Sequence, residues 1–242
     1  RAICSGILVS QEEAVIAANT DSPSGSKPGE CRAGSGADVI EIPAGTYTLT
    51  RTDSGKEDSS STGDLDVRGS VRIAARPGER VKIIGASGFT DRIFHVLSGT
   101  SSLEGLTIQG GRPVLDGGAI LNLATLTVLN STLTDNRTSG SGGGIANRGT
   151  LTLANVTLSA NWAKNHGGGL FNSASQAVLN NVTITGNTAD SDNSKGGDGG
   201  GVAHTGSTTL TKIGNSILAG NTDKTTTPPL PSDCSGTLTS SG

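Results

Sequence analysis

The chain is 242 residues long, carries a net charge of −3, and has only 16% charged side chains. Apolar residues make up 32% of it, against roughly 45–50% in an average domain, while almost half is Gly, Thr, Ser and Asn. Such a composition excludes the broad apolar faces of a helical bundle or a doubly wound α/β enzyme, a basic field for nucleic acid, and any window near the roughly 18 apolar residues of a membrane span.

In chain order, Arg1 opens the sequence without a Met or an apolar leader, which reads as a processed product whose signal peptide is gone. The cysteines are Cys4, Cys31 and Cys234. In a Gly/Thr-rich, Met-free chain they favour an extracellular location, with Cys4–Cys31 as the expected disulfide. Cys234 is left to a partner beyond Gly242 or to stand free. Their spacing fits no zinc site, and His95, His166 and His204 lie far from the thiols in sequence. Ser10-Gln11-Glu12-Glu13 matches a capping box. It precedes Ala14–Ala18, with Asn19 as the expected stop, and predicts a short helix plugging the open end of a core.

Asp38–Leu49 reads as strand, Pro43/Gly45 turn and strand. Residues 65–73 and 80–84 continue in the same style with less regular spacing. From there a repeat takes over. Gly117-Gly118, Gly143-Gly144, Gly168-Gly169 and Gly200-Gly201 each precede an apolar residue, followed two residues on by Asn122, Asn147, Asn172 or His204. A second polar column stands at Asn130, Asn155, Asn181 and Asn215, and a third at Asn136, Asn161, Asn187 and Asn221. A degenerate earlier copy runs through residues 103–111. Steps of about 25 residues are interrupted once, by an insertion around 190–198.

Inside each copy Thr132-Leu133-Thr134, Thr157-Leu158-Ser159 and Thr183-Ile184-Thr185 alternate with period two, the mark of short strands with one face inward. A coil of this length cannot bury its apolar face alone and must stack on its neighbours. The expectation is a parallel solenoid, with Leu/Ile/Val inside, Thr/Ser outside, and Gly and Asn at corners needing φ > 0.

The Glu13-Ala14…Ala17-Ala18-Asn19 element, the Ile42-Pro43-Ala44-Gly45-Thr46-Tyr47 segment and the Gly-Gly-Ile/Leu…Asn repeats together resemble bacterial CSLREA-type proteins. Their repeats are similar to those of polymorphic outer-membrane proteins and of the pectate-lyase-like right-handed β-helix superfamily. One departure stands out: the Cys-Ser-Leu-Arg-Glu-Ala run is replaced by Cys4-Ser5-Gly6-Ile7-Leu8-Val9-Ser10-Gln11-Glu12-Glu13-Ala14. The Asp233-Cys234-Ser235-Gly236 stretch looks like a late segment with more chain following. The resemblance implies an all-β fold, a single-stranded right-handed parallel β-helix (solenoid) with a short N-terminal capping helix. Within one domain, residues 1–37 form the cap, 38–111 irregular rungs, 112–222 regular rungs and 223–242 a tail. It also implies a secreted or bacterial cell-surface location. Activity stays open, because that superfamily includes lyases, hydrolases, epimerases, adhesins and passenger domains.

Candidate chemistry departs from the repeat at few points. The Asn columns read as corner ladders, which also accounts for the sequons at Asn130, Asn136, Asn155 and Asn181. Trp162 follows corner Asn161 beside Lys164, Asn165 and His166, with Arg137 one coil earlier and Thr188 one coil later. Trp162, Arg137 and Asn165 thus form a candidate glycan-binding patch, a ring with an apolar body and a polar tip suiting a wet sugar site; the alternative is a ring covering a turn. Asp190, Asp192 and Asp198 in the insertion offer hard oxygen ligands for calcium, or a solvated polar loop. Lys164 or His166 could serve as the base of a lyase acting on acidic polysaccharide, with calcium neutralising the uronate.

Two function classes follow: a structural or adhesive repeat protein binding polysaccharide or cell-surface glycan, with self-association into a lattice or fibre, or a polysaccharide lyase. Thr ranks on successive rungs add a minor ice-binding alternative, against which stands the plain β-propensity of Thr.

Overall fold

The computed structural model describes residues 2–4, 11–23, 31, 33–52, 58–173, 176–190, 196–206, 210–225 and 230–240, with the side chains of residues 2–4, 11, 12 and 230 excepted. The chain folds as a strand-rich, parallel-sheet solenoid. Coils contribute to two stacks near the N-terminal end and to three from Arg137 onward. A curled 14-stranded sheet, here sheet A, receives two short strands or one long bent strand per coil. Sheet B holds seven three- or two-residue strands and sheet C five. All pairings are parallel except Leu230–Pro231, which runs antiparallel to Thr222–Asp223.

The register follows the repeat. In sheet B, Ile120 pairs with Ile145, Ile145 with Leu170 and Leu170 with Val202. In sheet A, Leu133 pairs with Leu158 and Leu158 with Ile184. Thr150–Ser159 shows the expected alternation: Leu151, Leu153, Val156 and Leu158 are buried, and the residues between them are not. Asn155 bends that strand at φ +55°, as Asn130 and Asn181 bend their coils at +50° and +56°. The amide side chain makes the left-handed conformation tolerable there. The core is a continuous file of such apolar side chains, with Phe89, Phe94 and Ile93 widening it near the N-terminal end.

The Gly-rich corner has a steric cause. A Cβ on Gly143 would lie 2.6 Å from both the backbone N and C of Trp162, and one on Gly168 would lie 2.5 Å from the backbone N of Thr188. Gly200 meets the backbone N of Thr222 at the same 2.5 Å. This glycine column is therefore where sheet C packs edge-on against the corner leading into sheet B. The preceding Gly117, Gly142, Gly167 and Gly199 have φ of +80°, +74°, +66° and +68°.

The one described helix, Gln11–Thr20, buries Ala14, Val15, Ala17 and Ala18 against the first coil. It runs past the expected stop. Asn19 lies inside its last turn, and Asp21, at φ +49°, takes the left-handed position that ends it. The Asn19 amide is used elsewhere. Its Nδ2 donates to the Asp66 carbonyl at 2.6 Å and its Oδ1 accepts from Arg68 N at 2.8 Å. Asn19 thus satisfies the outer edge of Leu65–Val67, the terminal strand of sheet B. No helix among the described residues is long and apolar enough to cross a membrane.

Candidate functional site

The Asn columns are ladders. Asn136 Nδ2 donates to Asn161 Oδ1 at 3.0 Å, Asn161 to Asn187 at 2.9 Å, Asn187 to Asn221 at 2.9 Å, and Asn221 to Asp233 Oδ1 at 2.9 Å. All four asparagines are fully buried. Asn122, Asn147 and Asn172 form a second ladder, with amide contacts of 2.7 and 2.8 Å, which Asn172 continues to Thr211 Oγ1 at 2.8 Å. These amides complete one another and the corner backbone, so they offer no outward binding strip. The Thr rank Thr107–Thr132–Thr157–Thr183 on sheet A ends at Ile217, and its neighbour Thr134–Ser159–Thr185 is flanked by Gln109 and Ala219.

Sheet C carries the lateral patch. Arg137 pairs with Trp162, Trp162 with Thr188 and Thr188 with Thr222, which places these side chains in one file. The Arg137 guanidinium carbon lies 4.6 Å from the Trp162 ring centroid, and so does Lys224 Nζ. Trp162 is half-buried, Arg137 exposed and Lys224 half-buried; Lys164, two residues along, is exposed. An indole holding two cations against its π-system forms an apolar and cationic surface in one place.

Beside it, His166 stacks on Phe171 with ring centroids 5.9 Å apart, and its Nδ1 lies 4.0 Å from Asp198 Oδ2. The Asn165 carbonyl accepts from Asp190 N at 3.0 Å, so Asn165 is anchored through its backbone to the start of the insertion. Asp190 is fully buried at φ +46°, whereas the Asp198 side chain is 63% exposed. Asp192 lies outside the described residues, as does the side chain of Cys4. Cys31 is buried and Cys234 is exposed and free.

A second cluster sits at the N-terminal end of sheet B, where register places Asp66 directly opposite His95. His95 Nδ1 is 3.3 Å from Asp66 Oδ1 and 3.6 Å from Asp58 Oδ1. Next to it Arg92 bonds Asp64 at 3.0 Å. Burial, then the charges of Asp66 and Asp91, push the Asp64 carboxyl up to about 9 against the opposing pull of Arg92. Sequence reasoning passed over this cluster. Its signal was a polar residue at the centre of two apolar triplets, Leu65-Asp66-Val67 and Phe94-His95-Val96, hidden because the step between them departs from 25 residues.

Comparison with known proteins returns no match: no family model, no curated protein and no solved structure matches the chain. The resemblance to CSLREA-type repeats therefore rests on the residues that carry it.

Proposed function

We propose that the chain is a secreted or cell-surface repeat protein, a single-stranded right-handed parallel β-helix, that binds acidic glycan along its sheet C face. The right hand follows the general preference of parallel crossovers, held by about 98% of them. The observation that carries the binding reading is Trp162 with Arg137 and Lys224 both 4.6 Å from its ring centroid. A neutral sugar stacking on that ring competes with the two cations, whereas a uronate or sulfated sugar is attracted by both. Affinity is then electrostatic in large part and falls as salt rises. The test pairs an Arg137→Gln/Lys224→Gln double variant with wild type against a panel of uronic-acid and sulfated polymers. Binding weakens by about tenfold or more, with salt dependence reduced, while the melting temperature changes by only the small worth of exposed cation–π contacts. Undiminished binding by the double variant, or no binding by wild type across the panel, would refute the reading.

A second reading, a lyase on acidic polysaccharide, is favoured by one observation: His166 Nδ1 stands 4.0 Å from Asp198 Oδ2, with Lys164 exposed nearby. His166 or Lys164 would take the proton adjacent to the uronate carboxyl. Calcium held by Asp190, Asp192 and Asp198 would neutralise that carboxyl. Release of unsaturated uronates, followed by their ultraviolet absorbance, separates this reading from binding without turnover.

A further inference from the structure

Asp66 is fully buried. Its Oδ2 accepts from Ser60 N at 2.9 Å, and Ser60 Oγ accepts from Asp66 N at 2.7 Å, so the carboxylate is held in one orientation. The other oxygen, Oδ1, has no hydrogen-bond partner although solvent does not reach it. A buried carboxylate oxygen without a donor is costly and rare. The group facing it is His95, whose side chain is 9% exposed, at 3.3 Å from Nδ1 and without hydrogen-bonding geometry.

The spacing has a better explanation than a poor hydrogen bond. In a tetrahedral site with zinc–nitrogen and zinc–oxygen bonds of about 2.0–2.1 Å, adjacent donor atoms stand about 3.3–3.4 Å apart. The contacts of His95 Nδ1 with Asp66 and Asp58, 3.3 and 3.6 Å, lie close to that edge length. One donor atom from each of the three residues falls within 4.8 Å of the others. The His95 ring leaves Nε2 buried and unpartnered in either tautomer, so the discriminating atom is Asp66 Oδ1.

Charge points the same way. Arg92 is engaged with Asp64 at 3.0 Å, and Arg68 bonds the Asp58 carbonyl at 2.8 and 3.0 Å. Arg68 lies 3.8 Å from Asp58 Oδ2. Neither guanidinium is bonded to Asp66. The Asp58 side chain is 54% exposed, which leaves one side of the cluster open to water.

We propose that Asp58, Asp66 and His95 bind a divalent transition-metal ion, with zinc the natural probe and solvent completing the coordination. Two carboxylates with one imidazole suit zinc and its first-row neighbours better than magnesium or calcium, which take oxygen alone. The ion would tie the coil at Asp58–Val67 to the coil at Phe94–Val96, beneath the edge that Asn19 closes. This site is separate from the sheet C patch and stands or falls independently of it.

The test titrates the metal-stripped chain with zinc chloride by calorimetry and follows the melting temperature. One zinc binds per chain and raises the melting temperature. Asp58→Asn, at an exposed position that leaves the fold intact, weakens zinc by at least about tenfold. His95→Asn removes binding and, with cobalt as a spectroscopic substitute, the visible band of the nitrogen-ligated ion; His166→Asn changes neither. Absence of zinc uptake by wild type would overturn the proposal, as would equal affinity in Asp58→Asn. So would loss of the site in His166→Asn, which would place it at the His166–Asp198 pair. If His95→Asn fails to fold, the Asp58→Asn affinity decides.

Discussion

Removing one amide from the buried ladder tests whether the Asn columns hold the solenoid together. Asn161 makes four side-chain bonds. Nδ2 donates to the Leu133 carbonyl at 3.0 Å and to Asn187 Oδ1 at 2.9 Å, while Oδ1 accepts from Asn136 N at 3.1 Å and Asn136 Nδ2 at 3.0 Å. Asn161→Ala leaves some of these groups with other partners. Asn136 Nδ2 keeps the carbonyls of Ile108 and Thr134, and Asn187 Oδ1 keeps Asn161 N. The Asn136 amide N–H loses its acceptor, and the Leu133 carbonyl loses a donor, inside a fully buried corner. The Leu133 carbonyl keeps its place in the sheet A ladder, so at about 1–3 kcal/mol for the stranded amide, plus the small void, the cost is about 2–4 kcal/mol. Against a typical total of about 5–15 kcal/mol that is a severe loss. The control is Asn155→Gly. Its ladder is exposed, with Asn155 Nδ2 bonded to Asn130 Oδ1 at 3.0 Å, and its φ of +55° suits glycine, so the change stays within about 1 kcal/mol. Urea unfolding followed by far-ultraviolet circular dichroism reads both, with the midpoint shifted and the slope unchanged. Equal losses in the two variants, or less than about 1 kcal/mol in Asn161→Ala, would refute the assignment of the buried column as the structural one.

Gly143→Ala places a Cβ 2.6 Å from the Trp162 backbone, which forces sheet C away from the corner. A loss of about 2–3 kcal/mol and a shifted Trp162 fluorescence maximum are expected; a change below about 0.5 kcal/mol would show that the corner relaxes freely. Cys4 and Cys31 are expected to be joined, Cys31 being buried and Cys4 lying on Ala2–Cys4, the strand paired to Asp38–Ile42. Non-reducing peptide mapping should recover the cross-linked pair and leave Cys234 alkylatable. Reduction should then destabilise the N-terminal cap by about 2–4 kcal/mol, and recovery of alkylated Cys31 without reduction would overturn the pairing.

Legibility followed the period. Wherever successive coils are 25 residues apart, the sequence alone places each residue in its column: Asn136 over Asn161, Leu133 over Leu158, Arg137 over Trp162. The cause is that each column meets the same physical demand in every coil, so the same residue type recurs. Lys224 was not legible, because it reaches Trp162 across the longer step that pairs Thr188 with Thr222. The Asp66–His95 contact was hidden for the same reason. Leu65 pairs with Phe94 across a step of its own length, and the two polar residues share no type. Asn19 was misread because an Asn near a helix end suggests a stop, whereas its amide here continues the hydrogen bonding of a sheet edge.

The ladder also explains why chemistry gathers where the repeat breaks. A buried amide in the middle of the column both donates to the next coil and accepts from the previous one, which the short Asn side chain does at each corner. After Asn221 the column continues with a carboxylate: Asp233 Oδ1 accepts from both Asn221 N, at 3.0 Å, and Asn221 Nδ2, at 2.9 Å. In the regular coils the inward and corner positions are thus already committed to packing and ladders, leaving the outward files of the sheets, among them the file of sheet C where Trp162 stands. Among the described residues, buried titratable side chains include Asp66 and His95 at the N-terminal end, Asp190 at the insertion, and His204, which takes the place of an Asn in the column beyond that insertion. The irregular coils at the N-terminal end thus hold charged groups away from the regular Asn columns. On that logic the zinc titration and the Asn161→Ala experiment probe opposite halves of one design. Loss of Asp58 or His95 should change metal affinity without weakening the regular rungs, whereas loss of Asn161 should weaken the rungs without changing zinc affinity in the chains that remain folded.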